Sequence, residues 1–213
     1  MVRSSLPMGR GFSSSAAVCV ASAVALAGHA QVELDPDTAA EVALAAERDD
    51  LGIGCGPMDP LACAHGRILH IRWPSGEKRL LDGEPLLLAA AFPTATNSDH
   101  ILTALSENLN RSDVRKAIDG WGELAEEGAE CISDPVALGA LLNRAQALYD
   151  AIALPPLAAP GLGRARAAID ELCTGSKFTG AGGDRSLVAV FQHPDARAEA
   201  GRRLHELGLI AVS

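Results

Sequence analysis

The sequence has 213 residues, enough to bury the core of one large domain or of two small ones. Hydrophobic residues make up 48% of it and aromatic residues only 3%, so the core must consist of Ala, Leu, Val and Ile, and this composition argues against a disordered chain. Because 27 acidic residues stand against 18 basic ones, the formal net charge of −9 argues against nucleic acid and anionic membrane as partners. The acidic balance does not exclude a phosphate ligand, because backbone N–H groups can bind anions without any lysine.

The first half of the chain predicts helices followed by strands. A Gly/Ser loop leads into an apolar helix, which we expect to be buried on most sides because it is too short and too interrupted to span a bilayer. A second helix has start signals in Asp35 and Pro36, and a Gly- and Pro-rich loop follows it. The predicted elements are helices at 15–29 and 35–50, a loop at 52–60, and strands at 67–73 and 85–92.

The polar, turn-prone segment 93–100 is the predicted domain boundary, which gives domains 1–95 and 96–213. Beyond it the pattern indicates helices, a second glycine-rich loop with a short apolar strand, a closing amphipathic helix and a last edge strand. The predicted helices are 99–109, 111–128, 134–150, 161–173 and 195–209, the loop and strand occupy 177–191, and the edge strand begins at 210. Without a regular βαβ repeat, this mixture predicts an α+β fold.

The five cysteines are odd in number, scattered and without a CxxC pair, which is not the spacing of a disulfide or zinc framework. We therefore expect reduced thiols, mostly buried, in a cytoplasmic protein. They are Cys19, Cys55, Cys63, Cys131 and Cys173.

Residues 7–17, Pro-Met-Gly-Arg-Gly-Phe-Ser-Ser-Ser-Ala-Ala, form the first segment that indicates chemistry. Glycines let the backbone adopt positive φ and let a ligand approach, and the helix that follows directs the positive end of its dipole at the loop. The segment therefore predicts an anion cradle, although it is not a Walker A loop because Gly-Lys-Ser/Thr is absent. The alternative is a Gly/Ser turn that only caps a helix.

Glu47 and the segment 52–60, Gly-Ile-Gly-Cys-Gly-Pro-Met-Asp-Pro, are the second candidate. Asp59, presented on a rigid loop, can accept a proton from a substrate hydroxyl, and Glu47 at a helix end can help hold a cation such as Mg²⁺. The alternative for Asp59 is a turn former that stabilises its own loop. The third candidate, Lys-Phe-Thr-Gly-Ala-Gly-Gly at 177–183, can close over a phosphate or form an ordinary β-turn.

In this order, the three segments resemble the GHMP kinases (galactokinase, homoserine kinase, mevalonate kinase and phosphomevalonate kinase). The first is similar to the family's Pro-x-Gly-x-Gly-x-Ser-Ser-Ser-Ala motif. Ala46-Glu47 and Cys55-Gly56-Pro57-Met58-Asp59 resemble the galactokinase segment that ends in Gly-x-x-Cys-Gly-x-Met-Asp-Gln. The third is similar to Lys-x-Thr-Gly-Ala-Gly-Gly-Gly, so the resemblance covers nearly the whole chain.

The resemblance implies the GHMP kinase fold, with part of the N-terminal α+β domain followed by a ferredoxin-like C-terminal domain. It also implies a role for each matching residue. Asp59 would be the catalytic aspartate, and Ser14 or Ser15, together with Glu47, would ligate Mg²⁺. The ATP phosphates would be held by Gly9, Gly11, Ser13, Ser14 and Ser15, and the phosphate and substrate pocket would be supported by Gly180, Ala181 and Gly182.

The expected activity is ATP-dependent phosphorylation of an alcohol group on a small molecule, with no nucleic-acid or membrane partner. The Met58-Asp59 pair favours a sugar, whereas the 177–183 segment favours a mevalonate-type substrate, and the sugar is slightly preferred. Residue 1 falls about where the family's phosphate loop begins, so we expect a chain shortened at its N-terminus relative to the family. The alternative is a nucleotide-binding remnant without catalysis. Departures from the family pattern are Arg10, Pro60 and Asp184, the last of which would place an acid near phosphate.

Overall fold

The structure is a computed structural model that describes residues 3–93, 99–180 and 182–212. The chain divides into two compact units, Met1–Leu81 and Asp82–Ser213. Within the described residues, no helix combines the length and the apolar character needed to cross a membrane.

Within its described residues, the first unit contains three α-helices, a π-helical turn and a two-stranded antiparallel hairpin. The elements are α1 (Ser14–His29), α2 (Pro36–Ala45), the π-helical turn (Ala46–Asp50), α3 (Met58–His65), β1 (Ile68–Arg72) and β2 (Glu77–Leu81). Helices α1, α2 and α3 pack against one another through small side chains, among them Ala16, Ala39 and Ala43, which let the helices approach closely.

Local chemistry fixes where these elements begin and end. The Asp35 side chain accepts a hydrogen bond from the Thr38 N–H at 3.0 Å, and Pro36 fills the first position of α2. Gly66 ends α3 at φ 59°, a left-handed conformation that glycine adopts without steric cost. In the hairpin, Ile68 pairs with Leu81 and Arg72 with Glu77.

In the part of the second unit that the structure describes, a four-stranded antiparallel sheet is accompanied by five α-helices. Its elements are β3 (Leu86–Ala91), α4 (Asp99–Glu107), α5 (Ser112–Glu130), α6 (Pro135–Asp150), a 3₁₀ turn (Pro155–Leu157), α7 (Pro160–Ile169), β4 (Gly175–Phe178), β5 (Ser186–Phe191), α8 (Pro194–Glu206) and β6 (Ile210–Val212). The strand order is β4-β5-β3-β6, so β5 is inserted between β3 and β4. This is the split β-α-β-β-α-β arrangement of ferredoxin-like folds, and it confirms the α+β prediction.

Helices α7 and α8 supply the main core of the second unit against the sheet. Alternate residues of β5 point into this core, as the two-residue period of a strand requires, and Phe191, at 1% exposure, is the largest of them. The core is made of Leu88, Ala90, Leu162, Ala165, Ile169, Leu187, Ala189, Phe191, Ala200, Leu204 and Leu209, together with Phe178.

Helix α6 covers the edge strand β4. The Asn143 and Gln146 side chains accept the N–H groups of Ser176, at 3.1 Å, and Phe178, at 2.7 Å. These amides take the place of a neighbouring strand and so protect an edge that would otherwise be open to pairing. The approach is close, because a Cβ on Gly175 would lie 1.9 Å from the Gly139 carbonyl oxygen.

The structure corrects several of the predicted elements. The boundary lies between Leu81 and Asp82 instead of after residue 95, because β3 pairs with β5 and β6 of the second unit. Asp59 lies in the first turn of α3 and not on a loop. The strand β2 was not predicted.

Burial differs from expectation in two places. Helix α1 is not buried on most sides: only Ser14, Ala16 and Val20 are buried, while Leu26 is 69% exposed. All five cysteines are free, as predicted, but each is half-buried instead of buried.

Candidate active site

The first glycine loop turns sharply into α1. Gly9, Gly11 and Ser13 have φ values of 68°, 78° and 52°, three left-handed residues within five positions. The Gly9 N–H donates to the Ser14 hydroxyl at 3.1 Å, which ties the loop to the first residue of α1. The Ser13 side chain makes no capping hydrogen bond, so it leaves the first N–H groups of α1 uncapped. This geometry suits an anion at the helix N-terminus.

The three serines of the loop have different surroundings. Ser14 is 6% exposed, and its hydroxyl still has a proton to donate and a second lone pair after accepting from Gly9. Ser13 is half-buried and Ser15 is exposed. Of the two serines predicted to ligate a metal, Ser14 is the one fixed by the loop.

Glu47 lies in the π-helical turn that follows α2, with only 2% of its surface exposed. Among the described residues, its carboxylate takes part in none of the hydrogen bonds or ion pairs found. Its oxygens therefore keep lone pairs available to a cation or to a hydrogen-bond donor. π-Helical turns inside helices are frequent at functional sites.

Glu47 and Asp59 act on the same pair of thiols. Burial raises the pKa of Cys55, with the Glu47 carboxylate as the next cause and Asp59 a smaller one. Burial also raises the pKa of Cys63, followed by Asp59 and then Glu47. Burial and Glu47 together raise the pKa of Cys19 on α1. The fold therefore brings the two predicted carboxylates, which come from different elements, into one neighbourhood.

Asp59 is exposed near the N-terminus of α3, where a negative charge is favourable for the helix dipole. Pro60 follows at the third helical position, where the missing N–H costs no helical hydrogen bond. The departure of Pro60 from the family pattern is thus compatible with a regular helix start.

The second glycine loop belongs to the second unit. Gly180, Gly182 and Gly183 have positive φ values of 61°, 84° and 68°, and Ala181 lies outside the described residues. The Tyr149 hydroxyl accepts the Gly183 N–H at 2.7 Å and donates to the Leu157 carbonyl at 2.8 Å. The loop is therefore bound to α6 through the hydroxyl of Tyr149.

Asp184 fixes the same loop to α7. Its carboxylate accepts the N–H groups of Gly161, at 2.9 Å, and Leu162, at 2.7 Å, in the first turn of that helix. The expected N-cap residue, Ala159, has no side-chain hydrogen bond to offer. The acid that the sequence placed near phosphate thus serves as the cap of α7.

Two residues of this loop's framework, Tyr149 and Asp184, were not predicted as such. Their partners lie 34, 23 and 22 residues away along the chain, and no local pattern gives that distance. Two features of the sequence could have pointed to these residues: Asp184 interrupts the glycine run, and the chain has one tyrosine.

Comparison with known proteins places these features in a family. The model of the GHMP kinases N terminal domain matches residues 1–67. A galactokinase of Thermosipho africanus is 28% identical over 156 residues, which cover 70% of this chain and 43% of that protein. A galactokinase of Thermotoga petrophila is 30% identical over 152 residues, covering 68% and 42% respectively. The chain thus spans less than half the length of these curated relatives.

Solved structures show the same fold at low identity. A mevalonate kinase of L. major, in complex with R-mevalonate, has a TM-score of 0.78 at 18% identity, over 94% of this chain and 65% of that one. The mevalonate kinase of Methanococcus jannaschii also has a TM-score of 0.78 at 18% identity, over 99% and 65% respectively.

Proposed function

Since the chain belongs to the GHMP kinase family, we propose that it forms part of an ATP-dependent kinase that phosphorylates an alcohol group of a small molecule. Phosphoryl transfer needs mainly positioning and charge neutralisation, and both can be assigned to residues of this chain. The observation that carries the proposal is the geometry of the first glycine loop, where three left-handed residues lead into an N-terminus of α1 without a side-chain cap.

The ATP phosphates are assigned to the first glycine loop. The backbone N–H of Gly11, the hydroxyls of Ser13 and Ser15, and the uncapped start of α1 offer donors to an anion, while Gly9 lets the loop turn around it. Ser14 holds the loop in this shape through Gly9. This loop thus binds phosphate without a lysine, which fits the acidic balance of the chain.

Mg²⁺ is assigned to Ser14 and Glu47. Among the described residues, no group of three or more His, Cys, Asp or Glu side chains has the arrangement of a metal site. Mg²⁺ does not need one, because it is usually held by one or two carboxylates, substrate phosphates and water. The buried, unpartnered carboxylate of Glu47 fits such a cation. When bound, the ion would neutralise phosphate charge.

Asp59 is assigned the role of the group that interacts with the substrate hydroxyl and its proton. An exposed carboxylate at a helix start is accessible to a substrate, so it can accept that proton or orient the hydroxyl toward the phosphate. Gly180, Ala181 and Gly182 are proposed to support the phosphate and substrate pocket, with Tyr149 and Asp184 fixing the loop that carries them.

A sugar is the proposed substrate, because the curated relatives with the higher identity are galactokinases. The similarity to mevalonate kinase structures supports the fold and keeps mevalonate as the second candidate. The free thiols support a cytoplasmic location. A coupled kinase assay with galactose, other hexoses and mevalonate distinguishes the two substrate classes.

The decisive variant is Asp59→Asn, which keeps the shape of the side chain and removes its charge. We expect turnover to fall by about 10² or more with nucleotide binding retained, the scale for loss of a positioned general base. Asp50→Asn, also exposed and near the end of the π-helical turn, is the matched control. Full activity of Asp59→Asn would overturn the assignment. Nucleotide binding without turnover of any alcohol would favour the non-catalytic alternative.

A further inference from the structure

A cavity of about 460 Å³ opens within the second unit, between the end of α6, the 150–159 connection, α7 and β4. This volume lies in the range of small-molecule sites, roughly 300–1,000 Å³. Its walls are largely apolar and include Ile152, Leu154 and Leu157. Among the residues that the structure describes, neither glycine loop contributes to its lining.

Arg166 is the cation of this cavity, and neutral groups hold its guanidinium in place. Its Nε donates to the hydroxyl of Ser176 at 3.0 Å, and its Nη2 reaches the Asn143 Oδ1 at 3.5 Å. The guanidinium carbon lies 5.9 Å from the centre of the Phe178 ring. Within the part of the chain that the structure describes, no carboxylate lies within ion-pair distance of Arg166. The Arg166 guanidinium is therefore held in place without a carboxylate partner among the described residues. Its planar N–H groups can bind the two oxygens of a carboxylate.

Asp150 is the anion of the same cavity. Its Oδ1 accepts from the Gln146 amide at 2.8 Å, and among the described residues it has no ion pair either. Asn143, which contacts Arg166, precedes Asp150 by two helical turns, about 10 Å along α6 at 1.5 Å per residue. The two charges therefore line one cavity without forming an ion pair with each other.

We propose that this cavity binds a small organic monocarboxylate with an apolar body. The carboxylate pairs with the Arg166 fork, and the body lies against Ile152, Leu154 and Leu157. Asp150 repels a second anionic group or a phosphate dianion and accepts a hydrogen bond from a hydroxyl or ammonium group. This site goes beyond the proposed kinase reaction, because it uses none of the residues assigned to ATP, metal or phosphoryl transfer.

Isothermal titration calorimetry of the full chain with four probes tests the chemistry. Isocaproate is expected to bind, while isocaproamide, which keeps the body and lacks the charge, is expected to bind at least tenfold more weakly. Glutarate and inorganic phosphate are expected to bind more weakly than isocaproate because of Asp150. Absence of isocaproate binding, equal binding of the amide, or a preference for phosphate would each overturn the proposal.

Variants then test the location. Arg166→Gln should weaken isocaproate binding at least tenfold, whereas Arg164→Gln, an exposed arginine of α7 outside the cavity, should leave it unchanged. Leu154→Trp fills the apolar wall and leaves Arg166 and its partners intact, so it should also abolish binding even if Arg166→Gln proves unstable. Asp150→Asn should raise the affinity for glutarate. Unchanged isocaproate binding in either Arg166→Gln or Leu154→Trp would refute the site.

Discussion

At the residue scale, Asp184 shows how a departure from a family pattern can acquire a structural role. Its carboxylate caps α7 from another segment of the chain, through Gly161 and Leu162. We expect Asp184→Ala to lower the free energy of unfolding by about 1–2 kcal/mol, the usual effect of removing a helix cap. Asp184→Asn should lose less, because asparagine caps nearly as well. Urea denaturation followed by circular dichroism measures both, with the exposed Asp119→Ala as control. Equal stability of Asp184→Ala and the parent would contradict the capping role.

Two glycines of the second loop allow the cost of steric overlap to be separated from the cost of backbone strain. Gly180 and Gly182 both have positive φ, so alanine costs about 1–2 kcal/mol at either position. A Cβ on Gly180 meets nothing within 4 Å, whereas a Cβ on Gly182 would lie 2.2 Å from the Tyr149 hydroxyl. We therefore expect Gly182→Ala to lose about 1–3 kcal/mol more than Gly180→Ala, measured by urea denaturation. Equal losses would show that the loop moves away from Tyr149 without difficulty.

At the element scale, one carboxylate joins three elements of the first unit. Asp37 of α2 accepts from Lys78 of β2 at 2.6 Å and contacts the Nε2 of His65 on α3 at 2.8 Å. The hydrogen bond from Lys78, followed by that from His65, lowers the pKa of Asp37 below its ordinary value of 3.8. Because the carboxylate is half exposed, solvent screens this contribution to stability.

The lowered pKa gives this cluster a defined pH dependence. A carboxyl group whose folded pKa is depressed contributes stability that is fully present above its unfolded pKa, near 3.8, and is lost as the pH falls through the folded value. The free energy of unfolding of the parent should therefore fall more steeply below about pH 4 than that of Asp37→Asn. Denaturation curves across acidic pH measure the slopes, and Asp50→Asn should follow the parent. Parallel slopes for the parent and Asp37→Asn would argue against the cluster.

The predicted elements succeed where local signals and burial agree. Helix α6 was predicted within one residue because Asp134 caps it, and β5 because its apolar run is buried on both faces. Strand β2 was missed because four of its five residues are exposed, so its pairing with β1 leaves no hydrophobic alternation. Helix α3 was missed because prolines and glycines dominate the segment before it. The sequence suggests the glycines and carboxylates of the candidate site, whose roles stay predictions, whereas the hydrogen bonds of Tyr149 and Asp184 join residues that are far apart in the sequence.

At the scale of the whole molecule, the acidic charge sets a condition on nucleotide binding. A chain with net charge −9 and a sequence pI of about 5.1 repels a polyanion such as ATP at neutral pH. The first glycine loop offers backbone N–H groups and one cationic side chain, Arg10, and we propose that the cation assigned to Glu47 supplies further neutralisation. Mg²⁺ should therefore make ATP bind more tightly than the backbone N–H groups and side chains of the loop do alone.

Thermal unfolding of the full chain tests this coupling. At a concentration about a hundred times its Kd, Mg²⁺–ATP should stabilise the protein by about 2.7 kcal/mol, a rise in Tm on the order of 5–10 °C for a chain of this length. Glu47→Gln removes the buried charge, so ATP with and without Mg²⁺ should then give nearly equal shifts. Glu41→Gln, an exposed acid on α2, should keep the parent's difference. Comparing ligand-induced shifts cancels any change in intrinsic stability. If Glu47→Gln retains the full effect of Mg²⁺, the cation is held elsewhere, and the buried carboxylate serves the fold alone.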